Sequence, residues 1–175
     1  GGGTFTVKHA PALAAAGVAG AITVNQAGSS SADKVTISLG ANSTGAGAIA
    51  AAGTETIVVA SGGASTGVDA VASVTQPISL GATQSLTVTG AGNFTVTGVV
   101  TADTITTSGV AGAVVIGDLT NSVGTTTFIG GVGATTISAG AGGANTNVTT
   151  GIGNDLITTG GGDDIIITGN GTSTI

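Results

Sequence analysis

The chain has 175 residues, of which 34 are Gly, 41% are hydrophobic and three are Phe, with no Tyr or Trp. Only 6% of the residues are charged and the formal net charge is −6, whereas ordinary globular chains carry about 25% charged residues. With two basic residues, one His and no Cys, we expect neither nucleic-acid binding nor catalysis by a thiol or a triad. No apolar run reaches the roughly 20 residues of a membrane span, so we expect no membrane insertion.

Short segments along the chain alternate apolar and small polar residues between breaks of Gly, Ala, Ser or Asn. This period of two, with many β-branched residues, predicts β-strands. In chain order the segments are Ala21–Val24, Lys34–Gly40, Thr56–Val59, Ser85–Gly90, Asn93–Gly98 and Thr104–Thr106. The Ala-rich stretch Ala10–Ala21 predicts a loop or short helix, and we expect helix only around Pro11–Val18 and Gly45–Ala52.

The last third of the chain carries nonapeptides of the form x-G-x-G-x-D-x-U-x, where U is apolar. Residues 150–158 and 159–167 fit this frame, and residues 168–175 fit it with Ser173 in place of Asp. The frame continues backwards to residue 121, with a two-residue insertion at 139–140. Its apolar position predicts one inward register, namely Phe128, Ile137, Val148, Ile157, Ile166 and Ile175.

These repeats predict an all-β, parallel β-solenoid in which two nonapeptides form one coil and each coil adds about 4.8 Å. Gly would make the turns because it adopts positive φ without steric cost. We expect three segments: irregular β-strand repeats over 1–78, a β-solenoid over 79–120, and a nonapeptide β-roll over 121–175. Because the chain stops at the apolar position of an unfinished frame, we expect further coils or a partner subunit there.

The Asp of the frame predicts calcium binding, since calcium takes roughly six to eight oxygen ligands from carboxylates and carbonyls. Asp155 and Asp164 fall on opposite edges; Thr135 and Ser173 share the edge of Asp155, and Thr146 that of Asp164. We predict one or two sites flanked by these two Asp. The predicted carbonyl ligands are Gly151, Gly153, Gly160, Gly162, Gly169 and Gly171. The alternative is that Asp and Asn only bond to local turn backbone.

Weaker D-x-U patterns occur upstream. Asp69 and Asp103 are weaker candidate metal ligands, and Asp33 is weaker still because the neighbouring Lys34 opposes a cation. The alternative for all three is a solvated strand start. Asn154 and Asp163 take the outward position and are expected to be solvated.

Thr takes the place of Asp in the earlier frames, at Thr126, Thr135 and Thr146. We expect these hydroxyls to bond to neighbouring turns without metal. The array would then pass from metal-free coils to calcium-dependent coils towards its C-terminal end.

Together with the nonapeptides, the phrases Ala32–Gly40 (ADKVTISLG), Gly53–Val59 (GTETIVV) and Ser85–Gly98 (SLTVTGAGNFTVTG) resemble the RTX-type (hemolysin-type calcium-binding repeat) surface-layer proteins of Gram-negative bacteria. The resemblance implies type I secretion, folding by calcium outside the cell, and self-assembly into an S-layer on the bacterial cell surface. It also implies a cell-surface glycan or lipopolysaccharide as a candidate partner.

The leading hypothesis is therefore a structural subunit of an extracellular array. The main alternative is an RTX adhesin or the type I secretion tail of an extracellular enzyme. A minor alternative is an ice-binding solenoid, which requires one residue type repeated at one position over many coils. The Thr positions drift along the sequence, which counts against ice binding.

Overall fold

The computed structural model describes residues 4–9, 17–18, 22–25, 33–39, 43–44, 49–52, 56–61, 71–74, 78–79, 85–120, 124–139 and 144–175. These ranges contain only strands and their connections, and every ladder is parallel, which confirms the all-β parallel solenoid. In chain order the strands are β1 Thr4–His9, β2 Gly17–Val18, β3 Ile22–Asn25, β4 Lys34–Leu39, β5 Ser43–Thr44, β6 Ile49–Ala52, β7 Thr56–Ser61, β8 Val71–Val74, β9 Ile78–Ser79, β10 Ser85–Gly90, β11 Asn93–Thr101, β12 Thr104–Val110, β13 Val114–Thr120, β14 Thr126–Ile129, β15 Thr135–Ala139, β16 Thr146–Thr149, β17 Leu156–Thr159 and β18 Ile165–Ile167.

The strands form two main sheets that the chain enters in turn. Sheet I has eight strands in the order β1-β4-β7-β10-β12-β14-β16-β18. Sheet II runs β17-β15-β13-β11-β9-β6-β3, with β8 also paired to β11, and β2 and β5 form a small separate pair. Because consecutive strands from β10 onward alternate between sheets I and II, each coil contributes one strand to each sheet.

The core lies between the two sheets and is built from inward residues at alternate strand positions. In sheet I one column of fully buried side chains contains Val35, Ile57, Leu86, Ile105, Phe128 and Val148, and in sheet II one contains Val96, Ile116, Ile137 and Ile157. The predicted inward register is thus confirmed from Phe128 to Ile157, and Ile166 packs partly buried against the core. Ile175 departs from the prediction, since it is 74% exposed and lies outside the packed core.

The coil length agrees with two nonapeptides. Two hydrogen bonds between neighbouring coils give the number of residues in a coil. Thr146 and Asp164 are 18 residues apart in sequence, whereas Thr135 and Asp155 are 20 residues apart. The predicted insertion at 139–140 accounts for the longer separation. The first inserted residue, Ala139, is the last residue of β15 and is buried.

The helix predictions are wrong wherever the structure describes them. Gly17–Val18 and Ile49–Ala52 are strands, each paired in parallel to another strand. Ladder pairing therefore overrides the helical preference of an Ala-rich sequence. Residues 10–16 and 45–48 lie outside the described residues. Within the described ranges, no helix is long and apolar enough to span a membrane.

The turn glycines are required mainly by close stacking of backbone on backbone. A Cβ added to Gly151 would lie 1.9 Å from the carbonyl oxygen of Gly131, and one on Gly133 would lie 2.0 Å from that of Gly112. Among the described glycines of the predicted frames, positive φ occurs only at Gly124, Gly162 and Gly171. The expected reason, conformational freedom, therefore applies to a minority of the described turn glycines.

Candidate cation site in the stacked turns

The sixth position of each nonapeptide points into the solenoid, two residues before the apolar position. On sheet II the ladder aligns Thr135, Asp155 and Ser173 in one column, because Thr136 pairs with Leu156 and Leu156 bridges Thr174. On sheet I it aligns Thr126, Thr146 and Asp164. We call these the sheet II column and the sheet I column. They confirm that Asp155 and Asp164 lie on opposite sheets, each with its predicted partners.

Asp155 is the buried member of the pair, with only 3% of its surface exposed. Its Oδ1 accepts a hydrogen bond from the backbone N–H of Thr135 at 2.9 Å, one coil earlier. Its Oδ2 is buried with no hydrogen-bond partner among the described residues. Burying a carboxylate without full compensation is costly, so this oxygen marks the place where a further group is most strongly favoured.

Four buried hydroxyls also have no hydrogen-bond partner among the described residues. They belong to Thr126, Thr135, Thr150 and Ser173. The expectation that the hydroxyls of Thr126 and Thr135 bond to neighbouring turns is therefore wrong. At Thr135 the backbone N–H, and not the hydroxyl, makes the hydrogen bond to the Asp155 side chain of the next coil.

Asp164 has the same motif position but a different environment. It is half-buried, and its Oδ1 accepts a hydrogen bond from the backbone N–H of Thr146 at 2.8 Å. Neither Asp164 oxygen is among the buried oxygens left without a partner. Each of the two Asp thus accepts one hydrogen bond from the preceding coil. Of the two, only Asp155 has a buried oxygen without a partner among the described residues.

Of the glycine carbonyls proposed as ligands, those of Gly151 and Gly153 lie between successive turns. A Cβ added to Gly169 would be 2.2 Å from the carbonyl oxygen of Gly151, and one on Gly171 would be 2.2 Å from that of Gly153. These two carbonyl oxygens therefore face the glycines of the next coil. Gly162 has a φ of 113°, and a Cβ added to it would be 3.0 Å from the carbonyl oxygen of Ala144. Gly160 is exposed.

The weaker candidates are separate from these columns or outside the described residues. Asp103 is half-buried at the start of β12, and its carbonyl accepts from the N–H of Thr127 at 2.8 Å. Asp33 is 5% exposed at the start of β4, so the alternative of a solvated strand start is wrong there. Asp69 lies outside the described residues.

Three asparagines form connections between coils that the sequence analysis missed. Asn93, Asn145 and Asn154 each accept a backbone N–H bond from the following coil, from Ala113, Asp163 and Thr172 at 2.8, 2.9 and 3.0 Å. Asn154 and Asp163 are exposed, as predicted. The available signal was the recurrence of Asn at the fifth position of two successive frames.

Asn154 and Asp155 together tie three coils, since the Asn accepts from the coil after it and the Asp from the coil before it. Within the described part of the chain, no group of three or more His, Cys, Asp or Glu side chains comes together. A cation bound here would therefore depend on hydroxyl or carbonyl oxygens beside one carboxylate. No family model, curated protein or solved structure matches the chain.

Proposed function

We propose that this chain is a structural segment of a calcium-stabilised β-solenoid that self-assembles into an extracellular array on a bacterial surface. The observation that carries the proposal is the buried Asp155 carboxylate, whose Oδ2 has no partner while its Oδ1 already holds the preceding coil. A cation at this oxygen would offset the cost of burying the charge and would stabilise only the stacked state. Calcium would thus act as the switch between unfolded and folded chain.

The chemistry of the donors favours a hard cation. The side chains near Asp155 offer oxygen atoms only, and the chain has no Cys and one His. Calcium prefers such oxygen ligands, while zinc and copper prefer nitrogen and sulfur. An extracellular setting suits this choice, because calcium sites of extracellular modules work at roughly millimolar ion concentrations.

Exposed apolar side chains support self-association. Val132 and Ile152 are 56% and 61% exposed at equivalent turn positions of neighbouring coils. Ile165 and Ile167 are 57% and 58% exposed on the outward face of β18. Apolar residues grouped on an exposed surface mark interaction sites, and the low charge of the chain leaves little repulsion between copies.

The test compares the full chain in calcium and in chelator by sedimentation velocity and negative-stain microscopy. We expect a lattice or filament in calcium and dispersed chains in chelator. The double variant Ile165→Thr/Ile167→Thr keeps β-branched residues in β18, so it should keep the far-UV circular dichroism spectrum and lose assembly. Monomers that stay dispersed at high protein concentration in calcium would overturn the proposal of an array.

Ice binding is a second candidate function, and the register of sheet I favours it. Outward side chains of this sheet form two columns, Lys34-Thr56-Ser85-Thr104-Thr127-Asn147-Ile165 and Thr6-Thr36-Val58-Thr87-Thr106-Ile129-Thr149-Ile167. Thr occupies five of the eight positions in the second column, so the Thr positions that drift in the sequence are aligned by the ladder. The array repeats about every 4.8 Å across strands and about 6.6 Å along them.

A regular array of hydroxyl and methyl groups with one charged member suits a periodic, uncharged surface such as ice. The test is thermal hysteresis of the full chain, with Thr106→Lys as the disrupting variant and the exposed Thr158→Lys, on sheet II, as its control. Ice binding requires hysteresis that Thr106→Lys abolishes and Thr158→Lys leaves intact. Absence of hysteresis in the unaltered chain would end this candidate.

A further inference from the structure

We infer that Asn170 is a site of spontaneous covalent modification, at which the Asn170–Gly171 step rearranges to aspartate and isoaspartate and the isoaspartate loosens the turn after β18. This step is the one Asn-Gly pair in the sequence. The inference concerns the covalent chemistry of the chain and is independent of calcium binding and of assembly.

The reaction joins the Asn170 side chain to the backbone that follows it. The backbone nitrogen of Gly171 attacks the side-chain carbonyl carbon of Asn170 and forms a carbon–nitrogen bond. The carbon–nitrogen bond of the side-chain amide breaks, and its nitrogen leaves as ammonia with the proton of the Gly171 N–H. Water then opens the cyclic succinimide. Opening at one carbonyl carbon gives aspartate, and opening at the other gives isoaspartate, in which the main chain runs through the former side chain.

Both reacting groups are accessible in the structure. Asn170 and Gly171 are exposed in the turn that follows β18, and Asn-Gly pairs favour turns. Among the described residues, neither the Asn170 side chain nor the Gly171 N–H has a hydrogen-bond partner. Because Gly171 has no Cβ, no side chain on the attacking residue hinders closure of the ring.

Three other asparagines show what protects a side chain from this reaction. The Oδ1 atoms of Asn93, Asn145 and Asn154 each accept a backbone N–H bond from the following coil, at 2.8, 2.9 and 3.0 Å. Asn145 and Asn154 are exposed like Asn170, so exposure alone does not distinguish the four. The hydrogen bond fixes the side-chain carbonyl against the next coil, and the residue after each of the three carries a Cβ. Asn170 lacks both kinds of protection.

The isoaspartate product would disturb the stacking of this turn. A Cβ added to Gly171 would lie 2.2 Å from the carbonyl oxygen of Gly153, so the main chain at Gly171 rests directly on the turn of the preceding coil. Isoaspartate inserts one extra carbon into the main chain and lengthens it by about 1.5 Å. The turn must lift away from the preceding coil to accommodate this carbon.

Three hydrogen bonds next in the chain hold this turn to the preceding coil. The N–H of Thr172 donates to Oδ1 of Asn154 at 3.0 Å. The N–H of Thr174 donates to the carbonyl of Asp155 at 2.8 Å, and its own carbonyl accepts from the N–H of Ile157 at 2.9 Å. A displacement of about 1.5 Å takes these distances beyond the roughly 3.2 Å of N–H···O bonds. The aspartate product keeps the original main-chain path and adds only a negative charge, so these bonds should survive it.

The experiment incubates the full chain in warm, mildly alkaline heavy-oxygen water and follows each asparagine by peptide mapping with mass spectrometry. We expect Asn170 to take up heavy oxygen at least about tenfold faster than Asn154, since the latter must first break its hydrogen bond. Labelling by isoaspartyl methyltransferase identifies the isoaspartate. In the aged chain, the amides of Thr172 and Thr174 should exchange hydrogen about tenfold faster than in fresh protein.

Two variants serve as controls at this exposed position. Asn170→Gln has a longer side chain that closes a ring slowly, so after the same incubation it should keep the exchange rates of fresh protein. Freshly prepared Asn170→Asp carries the charge without the extra main-chain carbon, and it should also keep those rates.

The outcomes separate the modification from its effect. An Asn170 that stays intact, or an Asn154 that converts at the same rate, overturns the site, and this comparison within the unaltered chain needs no variant. Isoaspartate at position 170 with unchanged exchange at Thr172 and Thr174 overturns the loosening of the turn. Faster exchange in fresh Asn170→Asp overturns the attribution of the loosening to the longer main chain.

Discussion

Replacing Gly151 by Ala should separate the turns that stack at the C-terminal end. The added Cβ would lie 1.9 Å from the carbonyl oxygen of Gly131, which is a backbone atom and cannot rotate away. To reach the 3.4 Å of ordinary contact, the two turns must move apart by about 1.5 Å. Coil spacing is fixed by the ladders on both sides, so this movement must break bonds.

Two hydrogen bonds flank the contact between these turns. The N–H of Gly130 donates to Thr149 at 2.7 Å, and that of Thr135 donates to Asp155 at 2.9 Å. Both would be lost at the larger separation, at a net cost of about 1 kcal/mol each. Overpacking strain adds about 1–3 kcal/mol. The expected loss in free energy of unfolding is therefore about 3–5 kcal/mol.

Urea unfolding of the full chain, followed by far-UV circular dichroism, measures this loss, and hydrogen exchange at the Thr135 amide localises it. Gly130→Ala is the matched control in the turn of the preceding coil. Its Cβ would meet its nearest atoms at 3.3 Å, so small adjustments suffice and less than about 1 kcal/mol should be lost. Equal stability of the two variants would refute the account of the turn glycines as stacking residues.

Three further variants test the core, the connections between coils and the surface. Phe128→Ala removes a side chain with 0% exposure and should lower the free energy of unfolding in urea by about 3–5 kcal/mol. The control is Ile129→Ala, because Ile129 is 38% exposed. A similar loss in the two variants would contradict the place of Phe128 in the core. Asn154→Ala should speed exchange of the Thr172 amide and cost about 0.5–1.5 kcal/mol, and unchanged exchange would show that the 3.0 Å bond is not formed in solution. Ile152→Ser should change the free energy of unfolding by less than about 0.5 kcal/mol. It should also reduce calcium-dependent assembly measured by sedimentation. Unaltered assembly would show that this turn is not part of the contact surface between copies.

The fold could be predicted from the sequence because the signal repeats. Strands from Ser85, Asn93 and Thr104 begin at their predicted residues, and the inward register from Phe128 to Ile157 follows from one apolar residue per nonapeptide. The Ala-rich segments could not be assigned this way. Ala is the strongest helix former in isolation, but helix propensity amounts to less than about 1 kcal/mol per residue and is overridden by pairing in a ladder of parallel neighbours.

The candidate site was predicted only in part. The motif identified Asp155 and Asp164, and the count of nine residues placed them on opposite sheets. It could not distinguish them, because both stand at the same position in their frames. Burial decides the difference. Asp155 has a coil on each side, whereas Asp164 stands directly before β18, the strand at the edge of sheet I.

The sequence by itself determined the period, the turn positions and the alternation of inward and outward residues, all of which depend on local chain geometry. Tertiary structure decided which oxygens are left without partners and which outward residues align. Both depend on the vertical register of one coil on the next, and a two-residue insertion shifts that register without altering any single repeat. For the same reason, the role of Gly became clear only in the stack, where the backbone of one turn occupies the space that a side chain of the next would need.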